Sequence, residues 1–314
     1  MVDSKHKWKA WLYLSPALIL LAVFTVYPII NTIRLAFLED YSMMKAIRGV
    51  TFEFGFGNFQ KVVEYRNFVT CLKNTVLLCV ITVPISTVLA LLIAVVLNSI
   101  GPLRRVLQTI YFLPYVTNSI AIGMVFAAMF NMVGSFYGTE REIIQTAGII
   151  NNFLGLFGVE PINWINVGSS YWANMTVMII YIVWNALPFK ILILLGALQS
   201  VNKQYYDAAK VDGTSRFRTL IKITIPLLSP MIAYVVITGF MGGFKEYSSI
   251  VGIFGPTMGA PGDKGGMNTM VGYIYDSLAG AHQGRASAAA LILFAIIMAV
   301  TLVNLQVSKK KVHY

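Results

Sequence analysis

The stretch Tyr205–Pro230, YYDAAKVDGTSRFRTLIKITIPLLSP, sets an acid, two alanines, a glycine and several basic residues between two long apolar segments. From Gln204 to Lys210 the residues favour a helix, Gly213 suits a left-handed C-terminal cap, and Thr214 or Ser215 can cap a second helix. The pattern predicts a helix, a turn and a second short helix that enters the next apolar run at Pro226. A polar helical turn at the mouth of an apolar run belongs to a chain organised around a membrane.

The rest of the sequence agrees. Of the 314 residues, 57% are hydrophobic and 12% charged, where a soluble domain carries about a quarter charged residues. Mean hydropathy is +0.71. Crossing ~30 Å of hydrocarbon takes roughly 20 apolar residues. Six runs qualify: Trp11 to Phe37, Thr70 to Leu97, Val106 to Phe130, Tyr171 to Leu198, Ile225 to Phe254 and Ala286 to Val307. None alternates as a barrel strand does, and backbone groups in lipid must be satisfied within each segment, so helices are expected. The predicted fold is an all-α membrane protein of six transmembrane helices at 11–307, with tails at 1–10 and 308–314. The first run is too long for a cleavable leader and is expected to be a retained span.

Lysine and arginine set the orientation. With both termini in the cytoplasm, that side collects Lys5, Lys7, Lys9, Arg104, Arg105, Lys203, Lys210, Arg216, Arg218, Lys222, Lys309, Lys310 and Lys311. The net charge of +11 is therefore a topology signal and calls for no nucleic-acid partner. No lysine follows a glycine, so a G-x-x-x-x-G-K-[ST] phosphate loop is absent from the sequence. His6, His282 and His313 are scattered, and no H-E-x-x-H or G-x-S-x-G occurs. Cys71 and Cys79 fall about 12 Å apart along one predicted helix, too far for a disulfide. Neither an enzyme nor a cofactor-binding chain is expected.

Polar groups inside spans are costly and point to function. Helical spacing predicts a shared face for Tyr115 and Ser119 on the third span. On the fourth it joins Ile182, Ala186 and Phe189, beside Trp184 and Asn185. On the fifth it joins Gly239, Gly243 and Glu246, where the glycines also form a G-x-x-x-G packing pattern. Lys245 is adjacent to Glu246 and cannot pair with it along one face; it is expected to snorkel to the surface. Helix rise puts Lys190 roughly 15 Å below Glu246, which argues against a pair. Ile149 to Phe157 is too short to span and is expected as a short helix outside the bundle, and Gly255 to Gly266 as a connector.

In the opening stretch, Asp-Ala-Ala, three residues, Gly213, nine residues and then Ile223, Thr224, Ile225 and Pro226 resembles the "EAA" signature of permease subunits in binding-protein-dependent ABC importers. FGNFQKVV, LKNTVLL, LPYVTNSIAIGMVF, GIINNFLGLFG, INW, VWNALPFKILILLGALQSV and VGYIYDSLAGAHQGRASAAALILF are similar to its carbohydrate-uptake branch, of maltose-type and multiple-sugar permeases. The resemblance implies a cytoplasmic coupling segment at 203–224, carried by Asp207, Ala208, Ala209, Asp212 and Gly213. Asp207 stands where the signature has glutamate. It implies a bacterial cytoplasmic-membrane location and sugar-contact positions at Tyr115, Ser119, Ile182, Ala186, Phe189, Gly242, Gly243 and Glu246. The implied partners are a second, homologous permease, two ATPase subunits that bind ATP and Mg, a solute-binding protein outside, membrane lipid and a sugar substrate. The same machinery carrying glycerol phosphate or a related small anion, with Lys190 or Lys245 as the anion's contact, is the alternative; a secondary transporter is a more distant one.

Overall fold

The computed structural model describes residues 7–100, 104–136, 143–146 and 148–311. In chain order the helices are α1 (Trp8–Phe37), α2 (Met43–Ile47), α3 (Gly57–Val63), α4 (Phe68–Ser99), α5 (Arg104–Val116), α6 (Ser119–Phe130), α7 (Ile149–Gly155), α8 (Tyr171–Ser200), α9 (Lys203–Val211), α10 (Arg216–Gly243), α11 (Ser248–Phe254), α12 (Met270–Ala279) and α13 (Gln283–Lys311). Among the described residues α1, α4, α8, α10 and α13 are each long and apolar enough to cross a membrane. The pair α5 and α6 supplies a sixth crossing if counted together, bent by 102° at the join. Tail residues 1–6 and 312–314 lie outside the described residues.

Three expectations need correction. The third run is not one helix: Pro114 cannot donate to the helix ladder near the end of α5, and the Asn118 side chain caps a new helix by accepting from the amides of Ile120 (2.8 Å) and Ala121 (3.4 Å). The fifth run stops at Gly243 and restarts at Ser248, because the Glu246 carboxylate accepts from the amides of Tyr247 (3.2 Å) and Ser249 (3.1 Å) and so caps α11. Outside the spans the chain is not purely helical, since Val133–Phe136 pairs antiparallel with Ile143–Thr146, two short stretches rich in strand-favouring residues.

Contacts divide the chain into two compact units, Met1–Phe68 with Tyr273–Phe294 and Val69–Gly272 with Ala295–Tyr314. In the first, Asn58 is fully buried and bridges the end of α1, donating to the carbonyls of Ala36 (3.0 Å) and Leu38 (2.7 Å) and accepting from the Asp40 amide (3.2 Å). Phe37 gathers Phe54, Phe56 and Phe59 around its ring.

In the second unit α8 is the axis. One apolar cluster joins its residues Met175, Met178 and Tyr181 to Leu78, Phe130, Ile250 and Ile253. The other joins Ile191, Leu194, Leu195 and Leu198 to Ala90, Ala94, Leu97, Leu228 and Val235. Lipid tails are as apolar as these side chains, so close packing holds the helices, and the small residues at the contacts permit it. Ala90 and Ala94 serve on α4, while Gly123 on α6 meets Gly252 on α11 so closely that a Cβ on Gly123 would stand 2.7 Å from the Gly252 Cα. Between the two clusters, over residues 182 to 190 of α8 and 82 to 86 of α4, apolar packing gives way to a cavity.

Candidate functional site

Each of the four helices that wall this cavity carries an internal proline: Pro84 on α4, Pro114 on α5, Pro188 on α8 and Pro230 on α10. A proline removes one backbone donor and weakens the helix locally, so all four walls are softened where they face the cavity or close to it. The space measures about 310 Å³. Tyr115, Ile182, Ala186, Phe189, Gly242, Gly243 and Glu246 line it, so these predicted positions from three separate segments meet. Tyr115 and Phe189 stack with ring centroids 5.8 Å apart and planes 18° off parallel.

Ser119 is not on the cavity wall. The break at Thr117 and Asn118 turns it away from Tyr115, and its carbonyl instead accepts from the Tyr181 hydroxyl at 2.5 Å. Glu246 reaches the wall by a route the sequence reading did not contain. It no longer continues the helical face of Gly239 and Gly243 but sits in the turn after them, its Oε1 committed to the cap of α11. Its carbonyl accepts from the Thr269 hydroxyl at 2.9 Å, which fastens the turn. Lys245 is exposed and off the wall.

Thr82, Ser86, Asn185, Lys190 and Thr238 also line the cavity. The helix-rise estimate set Lys190 apart from Glu246, yet one cavity reaches both. A signal for the α4 wall was present, because Thr75, Cys79, Thr82 and Ser86 recur at helical spacing inside an apolar span. The side chains of Asn185 and Lys190 supply hydrogen-bond donors, and Glu246 an acceptor. An apolar ring pair with convergent polar groups suits a polar ligand with one apolar face.

The second predicted site lies at α9. Asn202 caps its start by accepting from the Gln204 amide at 3.0 Å. At its end the Thr214 amide donates to the Ala209 carbonyl (2.9 Å) and the Gly213 amide to the Lys210 carbonyl (3.1 Å), a closure that needs the left-handed backbone Gly213 adopts at φ +65°. Ser215 caps the next helix through the Arg218 amide (3.4 Å), and that helix runs on as α10 without ending as a separate short one. Ala209 is buried and the Tyr206 hydroxyl lies 3.3 Å from that of Thr224, which ties one face of α9 down. The opposite face, with Tyr205, Asp207, Ala208 and Val211, is exposed, and Asp207 pairs there with Lys210 at 3.1 Å. Asp212 forms the C-terminal cap position.

The Gly255 to Gly266 segment is a folded loop more than a connector: Met258, Ala260 and Met267 are buried, and the Met267 amide donates to the Met258 carbonyl at 2.9 Å. Asp263 fills the space beside Gly259 and Gly266, where a side chain would have no room. As expected, a short helix follows the hairpin, as α7.

Comparison with known proteins finds a family model described as "Binding-protein-dependent transport system inner membrane component" matching residues 86–312. The lactose transport system permease protein LacF of Rhizobium radiobacter is 30% identical, over 85% of this chain and 82% of its own length. The arabinooligosaccharides transport system permease protein AraP of Bacillus subtilis is 28% identical over 95% and 88%. The trehalose/maltose transport system permease protein MalF of Thermococcus litoralis is 27% identical over 98% and 97%. A chain from the crystal structure of a bacterial ABC transporter that imports the acidic polysaccharide alginate superposes with a TM-score of 0.76 over 98% of this chain and 96% of its own, at 22% identity, which is a likeness of fold.

Proposed function

The chain belongs to the binding-protein-dependent transport system inner membrane components, and from that membership we propose that it is the permease subunit of an ATP-driven importer whose cargo is a sugar or oligosaccharide. The family is one of transport subunits and not of catalysts. The observation that carries the cargo is the cavity at mid-length of α8, where the stacked rings of Tyr115 and Phe189 stand among Asn185, Thr238, Ser86, Lys190 and Glu246. The C–H face of a pyranose is apolar and packs on an aromatic ring, while its rim of hydroxyls needs donors and acceptors within the same small space. Relatives named for lactose, arabinooligosaccharides and trehalose/maltose support the sugar over glycerol phosphate.

In this reading a second permease of the same family completes the path, two ATPase subunits hold ATP and Mg at the cytoplasmic side, and a solute-binding protein delivers from outside. Another structure with this fold shows its transporter in complex with an alginate pentasaccharide-bound periplasmic protein. The α9 segment, at 203–224 with its following turn, is the coupling element, and its exposed face of Tyr205, Asp207, Ala208 and Val211 meets an ATPase subunit. Movement of α9 passes into α10 through the turn at Asp212 and Gly213 and from there to the cavity wall, so the path opens to one side at a time.

Substrate-stimulated ATPase activity of the assembled importer tests this. Proline cannot adopt the left-handed backbone of Gly213, so Gly213→Pro disrupts the closure of α9. Stimulation is expected to fall about tenfold or more in a complex that still assembles; undiminished stimulation would sink the coupling role.

A further inference from the structure

We propose that the saccharide this cavity takes is an acidic one, with a carboxylate of the sugar seated at Lys190. The inference rests on the saccharide reading above and narrows it. Lys190 is 5% exposed, and its ammonium nitrogen donates to the Val83 carbonyl (3.2 Å), Ser86 Oγ (2.7 Å) and Thr87 Oγ1 (3.0 Å). Both hydroxyls direct their own protons to carbonyls of the preceding turn, Ser86 to Thr82 (2.5 Å) and Thr87 to Val83 (2.7 Å). Every oxygen that faces the nitrogen is thus an acceptor. Three acceptors suit the three protons of an ammonium, whereas a neutral amine would turn its lone pair on groups with no proton to give.

The ion pairs seen among the described residues, Lys61 with Asp40 and Lys210 with Asp207, do not involve that ammonium. Glu246, the other ionisable group on the wall, is held at the start of α11. A buried ammonium whose hydrogen bonds all go to neutral oxygens is costly, and its charge stands beside the cavity it lines. Neutral hydroxyls need no such group, since Asn185 and Thr238 already supply donors and acceptors.

Lys190 is itself one of the residues that line the cavity. On the α10 side the residue facing it is Gly239, where a Cβ would stand 3.3 Å from Nζ. The Val83 carbonyl, the longest of the three contacts, is already bonded by the Thr87 hydroxyl. An incoming carboxylate can therefore take the proton directed at Val83 without leaving that carbonyl unpaired. The sugar is then oriented, with its acid group at Lys190, its ring at Tyr115 and Phe189, and hydroxyls toward Glu246.

The test uses the complete importer complex in nanodiscs, with the binding protein omitted so that the cavity alone is read. The probes are uronic acid trisaccharides of gluco, galacto and manno configuration, each beside its carboxyl-reduced neutral counterpart, with equilibrium binding measured for every pair. At least one acid is expected to bind about tenfold or more tighter than its counterpart. Lys190→Met is expected to bring that pair to within about twofold, and Lys190→Arg to keep the preference. Gly239→Ala, which retains the lysine but covers it, should blunt the preference as well. The proposal is overturned if neutral members bind as tightly as their acids, or if the preference survives Lys190→Met. Should no member of either kind bind, the saccharide reading itself fails and the proposal with it.

Discussion

Asp40 holds a left-handed backbone at φ +51° while its carboxylate meets Lys61 at 2.5 Å. The hydrogen bond from Lys61 holds its carboxyl below the ordinary value of 3.8 against a smaller opposing effect of burial, with further help from the charges of Lys61, Lys45 and Arg285. A carboxyl depressed in the folded state adds stability that is present above the unfolded value and is lost as pH falls through the folded one. Both side chains are about half exposed, so solvent keeps the contribution small. Asp40→Asn tolerates the same backbone. It is expected to cost less than about 1 kcal/mol at neutral pH and nothing once the pH lies well below 3.8, as melting temperatures at the two pH values would show. At this scale the legible residues were those whose role depends on near neighbours in sequence. Gly213 as a left-handed cap could be read from its helix, whereas Ser119 was misread because the chain bends by 102° at a break just upstream and takes it off the face of Tyr115.

Among the elements, the breaks matter as much as the helices. Hydropathy cannot see the interruptions at Asn118 and Glu246, because a side chain that caps a restarted helix costs little in average apolarity. The two restarted helices, α6 and α11, are the pair that meets through Gly123 and Gly252. A Cβ on Gly252 would lie 3.0 Å from the Gly123 Cα and from the Ile120 carbonyl oxygen, both backbone atoms that cannot swing aside. Gly252→Leu is therefore expected to force the helices apart and destabilise the protein by about 1–3 kcal/mol, seen as a lower melting temperature in detergent. Gly239→Ala meets mainly side-chain atoms, the Val83 methyl and the end of Lys190, and is expected to be tolerated in the same assay. The G-x-x-x-G pattern of Gly239 and Gly243 was visible in the sequence, but its neighbours were not: these glycines face Val83, Lys190 and Cys79 and help wall the cavity.

For the whole molecule the strongest expectation is topological. The basic residues collected in the tails and the α9 segment predict that a cysteine placed at Asp207 is shielded from a membrane-impermeant thiol reagent in intact cells, while one placed at Asp263 is labelled. Labelling at Asp207 from outside would reverse the orientation and remove the surface proposed for the ATPase. The sequence by itself determined the membrane class, the apolar runs, the charge asymmetry and the helical turn around Gly213, because each depends on composition or on spacing within one helix. Only the tertiary structure decided where the long runs break, which faces meet and what surrounds Lys190. Those outcomes rest on groups such as Lys190, which lies more than 100 positions from Val83, Ser86 and Thr87 in the chain and meets them only when α4 and α8 pack together.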